Sequence, residues 1–215
     1  MADIENTTAA DDSGAGDEAA GETVDGRRLR RERNIASVID AVLEMFKEEA
    51  LVPTIERAAE RSGLSLRSVY RYFPDPEALT QAAIDELWRR GEPVAHLSQI
   101  GEGPFEDRVI EFATMRVRLY EHIGHGYRAG RLHAPRSVRI REDIDRTRRT
   151  LSRSFELQFA RELDALPSEV LIARRNTGDI MSQLDAIDLL RRARRLTVQE
   201  SIEVVAEAIR VALTP

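Results

Sequence analysis

Twenty residues, Thr54 to Phe73 (TIERAAERSGLSLRSVYRYF), constrain the fold of this chain more than any other stretch. Ile55, Ala58 and Ala59 recur at helical spacing and give a short helix one apolar face. Ser62-Gly63-Leu64 interrupts the pattern, and Gly63 stands where a helix end takes a left-handed residue. Ser65 is placed to cap a second helix by accepting a free backbone N–H. Val69, Tyr70 and Phe73 would pack that helix onto the first. Leu66, Arg67, Ser68, Arg71 and Tyr72 are left for solvent or a partner. Small residues at Ala58 and Ala59 allow close approach. This pattern predicts a helix-turn-helix, whose second helix suits a DNA major groove.

Residue order goes further than the generic motif. Gly63-Leu64-Ser65, Val69-Tyr70-Arg71-Tyr72-Phe73 and Glu77-Ala78-Leu79 follow a helix expected from about Arg30 to Glu48. In these features the stretch 27–90 resembles the tetracycline-repressor (TetR) family of bacterial transcription regulators. The resemblance implies an all-α fold: an N-terminal three-helix helix-turn-helix DNA-binding domain (27–76), a linking helix (77–90), and a C-terminal helical domain (91–215) for ligand binding and dimerisation. It further implies a homodimer that binds double-stranded DNA at a palindromic operator, represses transcription, and answers to a small-molecule effector through the linking helix. Family members usually carry a lysine before the glutamate at position 77, where it touches phosphate; this chain has Pro76. Two other readings are a regulator of the same fold without an effector and an enzyme housed in the C-terminal helices.

For DNA, Arg67 and Ser68 fall in the first turn of the second helix, where such motifs read bases. Arg67 is suited to fork onto guanine O6 and N7, and Leu66 to meet a thymine methyl. Tyr70, Arg71 and Tyr72 are expected to hold phosphates or line the groove wall; Thr54 is placed as a cap, and the family resemblance implies a phosphate contact from its hydroxyl as well. Arg31, in the cluster Arg27, Arg28, Arg30, Arg31 and Arg33, is either solvated or makes a phosphate or minor-groove contact. In a dimer two recognition helices would lie roughly 34–36 Å apart.

Beyond Gly91-Glu92-Pro93 every segment reads as helix. Phe105 to about Tyr120 forms one. His122 to Pro135 holds Gly124, Gly126 and Gly130 and is expected to bend. Ser137 to Leu163 reads as one long helix, and Ser168 to Arg175 as a short one. Gly178 to Arg195 and Val198 to Leu213 form a final pair, the last opened by a Thr197/Glu200 capping box. Phe112, Met115, Arg116, Leu119, Tyr120, Tyr127, Phe155, Phe159, Asn176 and Met181 are candidates to line a ligand pocket, though such spacing also describes plain core. Ile180, Leu184 and Ile187, with Ile202, Val205 and Ile209, make two apolar stripes. These either complete the chain's own core or meet their copies across a two-fold axis. His122, His125 and His133 lack the second motif that a metal site needs, so no metal or other cofactor is expected. No catalytic set stands out.

A net charge of −6 opposes DNA binding on average, but it resides in one segment. Residues 1–26 hold Asp3, Glu5, Asp11, Asp12, Asp17, Glu18, Glu22 and Asp25 before the first arginine; the rest of the chain is slightly basic. That tail is too polar to bury a core and is expected to be disordered. It is either simply solvated or competes with DNA for the neighbouring arginines. The absence of cysteine fits a reducing compartment, and no apolar run is long enough for a membrane span. The expected location is cytoplasmic.

Overall fold

The structure is a computed structural model that describes residues 15–49 and 54–214. The loop expected at Leu51-Val52-Pro53 and residues 1–14 of the acidic tail lie outside the described residues. Among the described residues ten α-helices run in order and there is no strand.

Helices α1 (Ala15–Glu49), α2 (Ile55–Ser62) and α3 (Leu66–Tyr72) form the N-terminal helix-turn-helix unit. α1 begins inside the stretch expected to be disordered, well before Arg30; Ala19 and Ala20 there have the highest intrinsic helix propensity. Val38, Val42 and Phe46 of α1 are buried against α2 and α4 (Pro76–Gly91). α4 starts with proline in its first turn and with Asp75 as N-cap, its carboxylate accepting Ala78 N–H at 2.7 Å. Arg61 of α2 pairs with Glu48 of α1 at 2.5 Å, and Arg90 of α4 with Asp40 of α1.

The remainder is built around α5 (Phe105–His133), which packs on α1, α4, α6 (Val138–Gln158), α9 (Leu184–Asp188) and α10 (Val198–Leu213). Between them lie α7 (Ala160–Ala165) and α8 (Ser168–Met181). Thr197 and Glu200 form the expected capping box on α10.

Three expectations about breaks are corrected. α5 continues as one uninterrupted helix through its glycines. A β-carbon on Gly126 would lie 2.2 Å from Leu87 of α4, and one on Gly124 within 2.9 Å of the Tyr120 ring. Gly126 lets α4 approach, and Gly124 makes room for the Tyr120 ring of α5 itself. Likewise Gly178 lies inside α8, where a β-carbon would stand 2.6 Å from the Phe155 ring. The break expected before it occurs instead at Ser182-Gln183. The helix expected to run to Leu163 is interrupted at Phe159, which turns inward onto Phe105, Phe112 and Phe155.

His125 lies where α5 meets α1. Burial, then the nearby charges of Lys47 and Arg128, pushes its pKa down to about 4. Its Nε2 has no hydrogen-bond partner. The unfolded chain, with an ordinary histidine near 6.5, therefore takes up the proton first. Stability from this group is full above about pH 6.5 and falls away as pH drops towards 4. The urea midpoint of the wild type should fall more between about pH 7 and pH 5 than that of His125→Gln; equal falls would contradict the assignment.

Candidate nucleic-acid interface

The turn between α2 and α3 is built as its residues dictate. Gly63 takes φ 70°, and the chain end folds back through Leu64 N–H to Ala59 C=O at 3.2 Å and Gly63 N–H to Glu60 C=O at 3.3 Å. Thr54 caps α2 by accepting Arg57 N–H at 3.3 Å, and Ser65 caps α3 by accepting Ser68 N–H at 3.2 Å. Val69 and Phe73 are buried against Ile55, Ala58 and Ala59, which fixes the face that α3 turns outward.

That outward face carries Leu66, Arg67, Tyr70 and Arg71, all exposed. Among the described residues no carboxylate pairs with Arg67. Ser68 is half-buried, and its hydroxyl lies 2.9 Å from that of Ser65, so its hydrogen-bonding capacity is partly used by the cap. Tyr70, expected both to pack inward and to face the groove, is exposed; its hydroxyl donates to Glu56 at 3.3 Å. Tyr72, expected on the solvent side, is half-buried. Its hydroxyl accepts from Asn34 of α1 at 3.1 Å and from Arg71 at 3.0 Å. These donors, Asn34 first, hold the phenol below its ordinary pKa. The guanidinium groups of Arg71 and Arg31 stand 5.1 and 5.8 Å from the Tyr72 ring centre. Tyr72 therefore ties α3 to α1 and gathers Arg31 and Arg71 beside it. Asn34 and Glu56 were not singled out in the sequence, because polar residues on helix surfaces carry no pattern of their own.

Among the described residues, most of the candidate ligand-pocket residues are packed into the core. Phe112, Phe155 and Phe159 fill their space with one another, ring centres 5.1 to 5.9 Å apart. Met115 and Leu119 are buried beside them. Arg116 is 1% exposed, donates to Leu151 C=O at 2.5 Å and stands 4.5 Å over Phe112. Burial lowers its pKa to about 9. Tyr120 and Tyr127 donate to Asp188 at 2.5 Å and Asp185 at 2.8 Å, and burial raises both phenols. Asn176 is exposed on α8, and Met181 is half-buried at its end.

The apolar stripes also divide. Leu184, Ile187, Ile202, Val205 and Ile209 are buried in the chain's own core, so they cannot form a seam with a second copy. A helical stripe looks the same in sequence whether it meets its own chain or another. Of the six, Ile180 alone faces outward, 59% exposed, one face of α8 with Ile172 (68%) and Asn176. Val211 of α10 is 66% exposed.

Among the described residues no group of three or more His, Cys, Asp or Glu is placed to hold a metal ion, and no helix is long and apolar enough to cross a membrane.

No protein-family model matches the chain. It is similar to the HTH-type transcriptional regulator BetI of Yersinia pestis (strain Pestoides F), 28% identical over 128 residues, covering 53% of this chain and 60% of the relative. It is also similar to the protein of the same name from Stenotrophomonas maltophilia (strain R551-3), 28% identical over 130 residues, 54% of this chain and 62% of that one. The chain thus spans about three fifths of the length of these curated relatives.

Proposed function

We propose that this protein is a TetR-family transcriptional regulator, not an enzyme, which binds a palindromic operator as a homodimer and represses until an effector binds. The observation that carries the reading is α3: its buried Val69 and Phe73 hold Leu66, Arg67 and Arg71 outward, with Arg31 gathered alongside through Tyr72. The similarity to named HTH-type regulators supports the same reading.

Residues 27–76 form the DNA-binding unit, 77–90 the link and 91–215 the effector and dimer body. Arg67 reads a base from the first turn of α3; Leu66 contacts a thymine methyl. Thr54, Arg31, Arg71 and Tyr72 position the backbone, and Tyr70 lines the groove wall beside Glu56. The dimer seam is the outward face of α8 and α10. Ile172, Asn176 and Ile180 recur there at four-residue spacing, and a buried asparagine in such a seam sets register. Repression ends when an effector favours one spacing of the two α3 helices over another.

Arg67→Ala should cost about 1–3 kcal/mol on the preferred operator and relax preference at one base pair. Arg71→Ala should weaken all duplexes alike and flatten the salt dependence of binding by about one phosphate contact. Salt titrations on matched and scrambled duplexes separate the two; identical behaviour of both variants on every sequence would remove this division of roles.

A further inference from the structure

α4 and α6 do not close on each other. Between them lies a hollow of about 320 Å³, walled by Ile84, Trp88 and Leu151 and edged by Gln81, Asp85 and Asp143. It shares that polar edge with a wider outer opening of about 890 Å³. At its inner end it shares Trp88 and Asp143 with a small gap that reaches the α5 backbone at Gly126.

Two buried acceptors on this edge have no partner. Gln81 is 7% exposed; its amide nitrogen donates to Asp85 at 2.8 Å, and its Oε1 is unpaired. The carboxylate of Asp85 can only accept, so the amide nitrogen must point at it, which leaves the oxygen as the open end. Asp143 accepts Arg146 through Oδ1 at 2.8 Å, while its Oδ2 is buried and unpaired. A buried acceptor without a donor is costly, and more so when charged. A ligand that satisfies both acceptors would supply N–H donors and positive charge at one end, and an apolar body against Trp88 at the other. A bare metal ion fits poorly, because the walls are apolar. An anion would meet Asp143 and Asp85. Arg146 does not block a cation: its side chain is 68% exposed and free to withdraw into water.

We propose that this cleft binds a small organic ammonium ion, a primary amine whose apolar body is about the size of one aromatic ring. The site stands by itself. That it is the effector site rests on the regulator reading above, in which α4 follows directly on the DNA-reading helix and a ligand wedged against α6 would set its position.

Trp88 is the sole tryptophan of the chain, so intrinsic fluorescence reports on this cleft directly. Benzylamine is the probe. Benzyl alcohol keeps its body without the charge, and benzyltrimethylammonium keeps the charge without a donor. Benzylamine should change Trp88 emission saturably below roughly 20 mM, the weak end for a ligand of its size. Both controls should bind at least about tenfold more weakly, the scale of one charge-assisted hydrogen bond. Asp143→Asn and, separately, Gln81→Leu should each weaken benzylamine with helical circular dichroism unchanged; if one variant does not fold, the other decides. No saturable change, equal binding of benzylamine and benzyl alcohol, or unaltered affinity in the folded variants would overturn the proposal. These measurements need no DNA, so their failure leaves the DNA-binding reading standing, and a failure to bind DNA leaves the cleft standing.

Discussion

Phe155→Ala is expected to lower the free energy of unfolding by about 3–5 kcal/mol, the range for removing a fully buried aromatic side chain. The Phe155 ring lies between Phe112 and Phe159, with centres 5.9 and 5.1 Å away, and its far edge fills the space left by Gly178. The ring sits where α5, α6, α8 and α10 come together, with Ala212 of α10 also bordering Gly178, so its removal weakens packing among all four. The spared volume suggests a rescue. A side chain at position 178 points into the vacated space, so Phe155→Ala combined with Gly178→Val should recover part of the loss, whereas Gly178→Val alone should destabilise by overpacking. Urea unfolding of the three variants tests this. A cost below about 1 kcal/mol for Phe155→Ala, or a double variant no better than the single, would show that the cluster is not the centre of the body.

The opposite sign is expected at Arg116. Its guanidinium is buried among aromatic and aliphatic groups, with a carbonyl as its hydrogen-bond partner, Nε unpaired, and Asp179 only near enough to offset part of the burial. Asp179 has other partners in Ser152 at 2.6 Å and Gln183 at 2.8 Å, so it is not stranded when the arginine goes. Replacing a poorly compensated buried charge by an apolar side chain of similar length commonly leaves stability unchanged or raises it by about 1–4 kcal/mol. Arg116→Met should therefore hold or raise the urea midpoint. A loss above about 2 kcal/mol would instead make Arg116 a satisfied part of the core.

The helix-turn-helix was legible because its signals are local. A left-handed glycine at 63, caps at Thr54 and Ser65, and the inward Val69 and Phe73 act within a few residues of one another. The body was less legible for a physical reason shared by Gly126 and Gly178. Glycine marks either a turn or a close approach, and only the distant Leu87 and Phe155 decide between them. The apolar stripes failed likewise, since Leu184 or Ile209 buries the same area against α5 as it would against a second chain. The cleft at Trp88 left one trace, the polar Gln81 on the inner side of α4. Its meaning depended on Asp143, sixty-two residues away in sequence.

The central claim is that α3 lies open to a groove of duplex DNA and that a second copy repeats the contact at fixed spacing. The most direct measurement is selection of bound duplexes from a random pool by the full chain, followed by sequencing. An inverted repeat is expected, with half-site centres about one helical turn or a whole multiple apart, whose preference at one position is lost in Arg67→Ala. Enrichment of no sequence, or an enriched site that Arg67→Ala selects equally well, would contradict it.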